Sequence, residues 1–374
     1  MTITSVSHTP ELLTIDWSDG RRSELDAMWL RDHCQMPESR DPANGQRLLN
    51  ITDIPLETSI RSVDWDQDGV AVDFNPEDHR SVFPATWLLE HCYCLNRQQD
   101  NRSETGKTLW QKSDFESGLN WHDYQEYRTS ATVKKQALAE VDQLGFTLLS
   151  NVPAEPGKVL DVIETFGFVR ETNYGRLFEV RAEVNAINLA YTNLGLGCHL
   201  DNPYRDPVPG LQLLHCLESS TEGGESVLQD GFRAASILRQ EHPESFDVLT
   251  GQWINYRFQS QDADLLSRVP MIEVNDLGEV IKVRYNNRSI DALRVPRDKV
   301  ASFYQAYRRF AEILEREELQ IEFRLDPGDL ILFDNTRVLH ARRAYSQGGQ
   351  RHLQGAYSDL DGLYSTLYTL KKSA

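Results

Sequence analysis

The chain has 374 residues, of which 40% are hydrophobic and 9% aromatic, and its formal net charge is -18 at pH 7. This length allows one large domain or two domains with proper cores, and the acidic balance excludes the basic footprint that nucleic-acid binding requires. No apolar run approaches membrane-spanning length and no signal peptide is evident, while five cysteines without scaffold-like spacing indicate thiols in a reducing cytoplasm.

The first hundred residues are predicted to form short strands. Residues 12–17 and 70–74 alternate apolar with polar side chains, as half-buried strands do. Residues 96–108 are polar and aperiodic, which is typical of a linker. We therefore expect a small β-rich N-terminal domain over residues 1–97, a linker over 98–128 and a larger domain over 129–374.

The larger domain is predicted to contain two main helices. Apolar residues recur at helical spacing between Ala137 and Leu144 and stop at Gly145. A second helix is predicted over residues 298–318, with Asp298 as its N-cap. Its expected buried stripe consists of Val300, Tyr304, Tyr307, Ala311 and Leu314.

Strands are predicted around and between these helices. Residues 211–216 form an apolar run, and residues 330–333 form another after a Pro-Gly-Asp turn. Many strands with a few flanking helices fit a mainly β fold, with a double-stranded β-helix (jelly-roll) as the catalytic domain.

The pair His199 and Asp201 is the clearest chemical signal. Residues two apart on a strand point to the same side, so the two side chains can hold one metal ion together. His340 is a third ligand candidate, far downstream. Two imidazoles and one carboxylate form the facial triad of non-haem Fe(II) oxygenases, which leaves open positions for co-substrate and oxygen.

Arg351 strengthens this interpretation. Taken alone, a His-x-Asp pair is usually structural, and an arginine is usually a surface residue. An arginine on the strand after His340 can face the same cavity, where its guanidinium can clamp the far carboxylate of a dicarboxylate. The combined pattern indicates an Fe(II)- and 2-oxoglutarate-dependent oxygenase.

Six segments resemble the family of γ-butyrobetaine dioxygenase and trimethyllysine dioxygenase: Trp-Leu-Arg-Asp at 29–32, Ala-Tyr-Thr at 190–192, Pro-Gly-Leu-Gln-Leu-Leu-His-Cys at 209–216, Gly-Gly-Glu-Ser at 223–226, Asp-Gly-Phe at 230–232 and Arg-His-Leu-Gln-Gly-Ala-Tyr at 351–357. They cover nearly the whole chain in the family's order. The resemblance implies a small N-terminal domain, a jelly-roll catalytic domain and commonly a homodimer. It implies that His199, Asp201 and His340 bind iron and that Arg351 binds the 2-oxoglutarate tail.

The resemblance also implies an aromatic pocket for a trimethylammonium group. Because such a group cannot donate a hydrogen bond, ring faces are its natural partners. The matching positions are Tyr174, Phe178, Tyr191 and Tyr357. Phe178 stands where the resemblance leads us to expect Trp, and any single ring could instead be core packing.

The anion end of the substrate pocket departs from the family pattern. Asn188 and Asn287 match the asparagines near the butyrobetaine carboxylate, but Arg288 replaces a small neutral residue and Asn202 replaces an aromatic one. An added guanidinium suits a phosphonate, as in the relative that hydroxylates 2-(trimethylamino)ethylphosphonate. Alternatively, Arg288 points to solvent or pairs with Asp291.

The N-terminal domain departs from the family as well. The resemblance implies a structural zinc held by three cysteines and one histidine. Cys34 and His79 match, whereas Met36 and Ser39 occupy the other two places, so we expect no structural zinc. The run 91–94, His-Cys-Tyr-Cys, could supply substitute ligands.

Three functions remain open. The first is hydroxylation of 2-(trimethylamino)ethylphosphonate at the carbon next to phosphorus. The second is γ-butyrobetaine hydroxylation to carnitine. The third, of another class, is a non-catalytic jelly-roll that binds betaines. In the first two, the partners are a small zwitterionic substrate, O2 and 2-oxoglutarate.

Overall fold

The computed structural model describes residues 1–93, 106–181, 195–346 and 349–372. The chain divides into two units, Met1–Thr105 and Gly106–Ala374, each taken by itself below. Strands dominate and helices flank them, as the sequence predicts.

The first unit contains two three-stranded antiparallel sheets and two short helices in its described part. Alternation along the second strand buries Leu13, Ile15 and Trp17 in one core. Both strands predicted in this region are confirmed, although the second is longer than residues 70–74. The elements are β1 Ile3–His8, β2 Leu12–Trp17, β3 Arg22–Asp26, α1 Ala27–Asp32, β4 Ser59–Trp65, β5 Gly69–Asn75, β6 His79–Pro84 and α2 Ala85–His91.

Cys34 and His79, the two residues that match the family's zinc ligands, do lie together. The Cys34 Sγ atom is 3.3 Å from His79 Nε2, and Ser81 Oγ is 3.2 Å from the same nitrogen. Burial lowers the pKa of His79, so the ring is predominantly neutral at pH 7. His91 instead stacks on Trp87, and Cys94 of the substitute cluster lies outside the described residues. The loss of zinc stays a prediction.

The predicted linker over residues 98–128 is wrong for the part that the structure describes, which begins at residue 106. Trp110 is buried and its indole donates to the Leu144 carbonyl over 2.6 Å. Strand β7 (Trp121–Asp123) then pairs in parallel with β8 (Phe146–Ser150), and α3 (Tyr124–Thr129) follows β7 directly. These contacts are long-range, so the polar composition of the segment did not reveal them.

The first predicted helix is confirmed as α4, Ala131–Leu144, which ends at Gly145 in the left-handed conformation with φ 88. The second is α8, Arg297–Leu314, and two details of its prediction are wrong. Pro296 is the N-cap, which places Asp298 in the first turn. The buried stripe also differs, since Tyr304 is exposed and the buried residues are Phe303, Ala306, Phe310, Ile313 and Leu314.

Two sheets face each other in the second unit and form the predicted jelly-roll. Apart from the parallel β7–β8 pair, their neighbouring strands run antiparallel. The four-stranded sheet has the order β10 Leu196–His199, β19 Val338–Arg342, β12 Ser226–Asp230 and β17 Gln320–Phe323. The six-stranded sheet has the order β7, β8, β18 Leu330–Asp334, β11 Leu211–Ser219, β20 Arg351–Ser358 and β9 Phe178–Arg181.

Apolar side chains fill the space between these sheets and cover their outer faces. Leu228 and Val338 of the smaller sheet share one core with Phe333 and Leu353 of the larger sheet. A further core lies under α4, and another under α8. The remaining elements are α5 Lys158–Ile163, α6 Gly231–Glu241, α7 Pro243–Gly251, β13 Trp253–Gln259, β14 Asp264–Pro270, β15 Ile272–Val274, β16 Val280–Val283 and α9 Leu360–Lys372.

No helix in the described part of the chain is both long enough and apolar enough to span a bilayer.

Candidate active site

His199, Asp201 and His340 converge between the two sheets. His199 ends β10 and is the register partner of His340 in the adjacent β19, so the two rings lie side by side with centroids 4.3 Å apart. Asp201 comes after the end of β10, so strand alternation does not explain its direction as we expected. Its carboxylate turns back towards both rings nonetheless.

The donor atoms of these three residues fit a metal ion. Asp201 Oδ1 lies 3.4 Å from His199 Nε2 and 4.0 Å from His340 Nε2. One donor atom from each residue lies within 4.8 Å of the other two, and no other such group of three occurs in the described ranges. The Nδ1 atom of His199 lies 2.9 Å from the Gly197 carbonyl, which directs Nε2 towards the centre.

The surroundings of the triad favour an ionised Asp201 carboxylate beside a neutral His340 ring. Burial opposes ionisation of Asp201, but the hydrogen bond to His199 and the adjacent imidazole rings hold its pKa well below the usual range. Burial and the neighbouring His199 lower the pKa of His340 to about 3. An ionised carboxylate and a neutral His340 ring are ligand forms that suit a divalent metal.

Three further residues hold Asp201, and sequence reasoning missed the roles of all three. Gln212 Nε2 and the Tyr357 hydroxyl donate to Oδ2 over 2.9 and 2.8 Å. Asn335 accepts from the Asp201 backbone N–H over 2.9 Å and donates back to its carbonyl over 3.0 Å. A polar residue inside the apolar run 211–214 was the available signal for Gln212.

The triad opens into a cavity of about 520 Å³, which is within the usual range for small-molecule sites. At one end Arg351 and Arg342 line the wall, and both are buried. Arg351 forms no ion pair with any carboxylate among the described residues, and burial together with Arg342 lowers its pKa to about 10. A buried guanidinium that is still protonated at neutral pH suits an anionic ligand, as the sequence predicts.

Aromatic rings form another part of the cavity wall. Three of the four predicted rings are there, and Phe178 stacks on Tyr357 with centroids 4.9 Å apart. The fourth, Tyr191, lies outside the described residues. Sequence reasoning missed Tyr204 and Phe258, which stack on each other at 5.1 Å and complete this wall beside Tyr174.

Gly355 makes room for the Phe178 ring. A Cβ atom at Gly355 would lie 2.3 Å from that ring, which is far closer than van der Waals contact allows. The Gly355–Phe178 register pair between β20 and β9 therefore depends on glycine. The glycine in the 351–357 motif thus has a specific structural reason.

The anion-end residues divide into those that reach the cavity and those that do not. Arg288 and Asn202 line it. Asn287 is exposed and does not, so its prediction is wrong; the neighbouring Asn286 lines the wall and donates to the Leu200 carbonyl over 2.9 Å. Asn188 lies outside the described residues.

Arg288 and Asn202 both offer donors that the protein does not use. Arg288 lines the cavity but keeps solvent-exposed surface, and it forms no ion pair in the described part of the chain, with Asp291 or any other acid. Partial burial lowers its pKa while the charge of Asp201 acts in the opposite direction. Tyr204 donates to Asn202 Oδ1 over 2.8 Å, which turns Nδ2 away from the hydroxyl, and Nδ2 is buried without a protein partner among the described residues.

A two-histidine, one-carboxylate site inside a jelly-roll defines the class of non-haem metal oxygenases. Comparison with known proteins agrees. The family model described as "Taurine catabolism dioxygenase TauD, TfdA family" matches residues 104–357, and the model "Gamma-butyrobetaine hydroxylase-like, N-terminal" matches residues 4–89.

Curated relatives match along almost the full chain. γ-Butyrobetaine dioxygenase of Homo sapiens is 32% identical over 377 residues, covering 96% of this chain and 95% of the relative. The enzyme of the same name from Pseudomonas sp. strain AK-1 is 32% identical, covering 96% and 94%. Trimethyllysine dioxygenase of Meyerozyma guilliermondii is 28% identical, covering 98% and 96%.

The chain therefore belongs to the TauD, TfdA dioxygenase family and, within it, to the group of γ-butyrobetaine dioxygenase-like proteins. It is an enzyme that depends on Fe(II) and 2-oxoglutarate. Among solved structures, a taurine dioxygenase from Burkholderia xenovorans has a TM-score of 0.47 at 16% identity, covering 61% of this chain and 81% of that one.

Proposed function

We propose that the protein hydroxylates a small zwitterionic trimethylammonium compound, with 2-(trimethylamino)ethylphosphonate as the preferred substrate. The reaction consumes O2 and 2-oxoglutarate and gives succinate, CO2 and the alcohol at the carbon next to phosphorus. The observation that carries the choice of substrate is Arg288, a cavity-lining guanidinium without an acidic partner in the described ranges.

In this proposal His199, Asp201 and His340 are the iron ligands, and Arg351 holds the distal carboxylate of 2-oxoglutarate. Iron, when bound, supplies the oxygen chemistry that replaces a C–H bond by C–OH. The protein contributes position: the buried Arg351 lies on β20, across the cavity from the two histidines on the smaller sheet. The co-substrate would bridge the space between them.

The substrate would lie between the aromatic wall and the anion donors. Its trimethylammonium group would contact ring faces of Tyr174, Phe178 and Tyr357 through cation–π attraction. Its phosphonate would accept from Arg288 and from the free Nδ2 of Asn202. With both ends held, the two-carbon chain would lie beside the triad, and we place the hydroxyl on the carbon bonded to phosphorus.

A guanidinium favours the phosphonate because of charge and shape. Like a phosphate group, a phosphonate carries more than one negative charge near neutral pH and has three acceptor oxygens. The fork of N–H groups on arginine matches such an anion with two parallel hydrogen bonds. A carboxylate carries a single charge and would use the same donors less fully.

γ-Butyrobetaine is the second candidate substrate. Relatives that carry this name are 32% identical over almost the full chain, and the aromatic wall would hold its trimethylammonium group equally well. Hydroxylation would then fall on the carbon β to the carboxylate. A non-catalytic betaine-binding protein would have no need of a complete triad, so we do not propose it.

A competition experiment tests the choice. Equal concentrations of the two compounds are offered to the Fe(II)-loaded enzyme with 2-oxoglutarate and O2, and NMR measures both products at low conversion. We expect the phosphonate product in at least tenfold excess, with the hydroxyl on the carbon coupled to phosphorus. Preferential formation of the butyrobetaine product would overturn the proposal and establish the second candidate.

A further inference from the structure

The two carboxylate oxygens of Asp201 have different surroundings. Oδ1 faces the Nε2 atoms of His199 and His340, at 3.4 and 4.0 Å. Oδ2 accepts from Gln212 Nε2 over 2.9 Å and from the Tyr357 hydroxyl over 2.8 Å. Two donors therefore occupy the oxygen that points away from the histidines.

Gln212 is held rigidly for this contact. It lies in β11, hydrogen-bonded to β18 on one side and β20 on the other, with Phe333 and Tyr357 as its register partners. Its side chain is 1% exposed. Only its NH2 group can face Asp201, since two oxygens at 2.9 Å would repel each other.

The side chain of Gln212 donates a hydrogen bond to Asp201, but its own acceptor oxygen receives none from the described residues. Its Oε1 atom is buried and has no hydrogen-bond partner in the part of the chain that the structure describes. An unsatisfied buried acceptor is unfavourable, and the charge-assisted hydrogen bond from Nε2 to Asp201 offsets part of that cost. Among the described residues, the Gln212 side chain hydrogen-bonds to the carboxylate of Asp201 alone.

We infer that Gln212 is a positioning residue: it holds Oδ2 of Asp201, together with Tyr357, so that only Oδ1 is presented to the metal. This inference concerns the metal site and not the choice of substrate, and it rests on the proposed role of Asp201 as a ligand. A carboxylate fixed in one rotamer with one oxygen presented loses less freedom on binding metal, and loss of such an outer contact typically weakens metal affinity 10- to 100-fold.

The test measures metal affinity without turnover. Titration calorimetry with Co(II), in the absence of substrate, compares wild type with Gln212→Met, which keeps the length of the side chain but removes the donor. Gln229→Met is the matched control, because Gln229 is also a fully buried glutamine, lies on β12 and makes no hydrogen bond to the triad. We expect the Kd to rise by about 10- to 100-fold in Gln212→Met and to stay within twofold in Gln229→Met.

Three further measurements keep the inference open to refutation. Asp201→Ala should abolish Co(II) binding; retention of affinity there would refute the ligand assignment on which the inference rests, whereas loss of affinity there with an unchanged Kd in Gln212→Met would refute the role of Gln212 alone. If Gln212→Met does not fold, Gln212→Asn keeps the amide one methylene short of the carboxylate and should show the same loss. The anaerobic charge-transfer band of the Fe(II)–2-oxoglutarate complex should shift in the Gln212 variant alone. An unchanged Kd and band in a folded Gln212 variant would overturn the inference.

Discussion

Replacing Arg288 by alanine should change which substrate the enzyme prefers. Arg288 has no ion-pair partner among the described residues, so its removal leaves no protein charge unpaired. The measured loss should therefore report the contact with the substrate anion. This makes Arg288→Ala a cleaner perturbation than truncation of an arginine that is already paired.

The size of the effect follows from the number and environment of the hydrogen bonds. A hydrogen bond to a charged group contributes about 1.5–3 kcal/mol. Because Arg288 keeps solvent-exposed surface, we take the lower part of that range, about 1.5–2 kcal/mol. Since about 1.4 kcal/mol is a factor of ten, kcat/KM for the phosphonate should fall about 10- to 30-fold. For γ-butyrobetaine, with its singly charged carboxylate, we expect a fall of less than about threefold.

The assay is succinate formation at several concentrations of each substrate. Arg257→Ala is the control, because Arg257 also lines the cavity but is already paired with Asp264 at 2.6 Å. That variant should leave the ratio of the two kcat/KM values unchanged. Equal losses for both substrates in Arg288→Ala, or no loss for the phosphonate, would refute the role of Arg288 as the anion-binding residue.

Three more predictions follow from the same geometry. Arg351→Met should raise the KM for 2-oxoglutarate by about 30-fold or more, because truncating one member of a buried charge pair costs about 2–5 kcal/mol. Steady-state kinetics measures this KM, and an unchanged value would contradict the role of Arg351. Gly355→Ala should displace the Phe178 ring and raise the substrate KM severalfold, and adding Phe178→Ala should then cost little more; additive losses would contradict this coupling. His215 is buried and its pKa is lowered to about 4. The unfolded chain therefore binds the extra proton between about pH 4 and 6.5, so unfolding free energy should fall by about 2 kcal/mol on going from pH 8 to pH 5. His215→Phe should remove that part of the loss in denaturant titrations, and an identical pH slope would contradict the assignment.

The metal-ligand candidates could be found from sequence because their chemistry is rare and compact. His199 and Asp201 are separated by one residue, and few functions require two histidines, a carboxylate and a following arginine. The contacts that orient Asp201 could not be found in the same way. Asn335 is 134 residues away from it, and only the fold brings the two together.

The wrong site prediction at the anion end came from matching Asn287, and not the preceding residue, to the family pattern. In the segment that follows β16 there is no strand or helix period, so nothing in the sequence decides which of two consecutive asparagines faces inward. The structure turns Asn286 towards the cavity and Asn287 to solvent. Asn286 accepts from the Arg288 backbone over 3.1 Å, which fixes this turn locally.

The amphipathic character of tyrosine explains why the predicted buried face of α8 is wrong. Tyrosines were counted as apolar, which drew the predicted stripe through Tyr304 and Tyr307. A tyrosine has a polar end and tolerates solvent, and Tyr304 is in fact 55% exposed. Phe303 and Phe310, which have no polar atom in the side chain, mark the buried face.

The most direct test of the central claim is succinate release by the Fe(II)-loaded enzyme with 2-oxoglutarate and O2, measured separately with each trimethylammonium compound and with neither. We predict release that requires iron, that is strongly stimulated by 2-(trimethylamino)ethylphosphonate and that matches the alcohol formed one to one. Stimulation by γ-butyrobetaine alone would contradict the assignment of substrate. Absence of succinate with both compounds would contradict the proposed trimethylammonium hydroxylase as a whole.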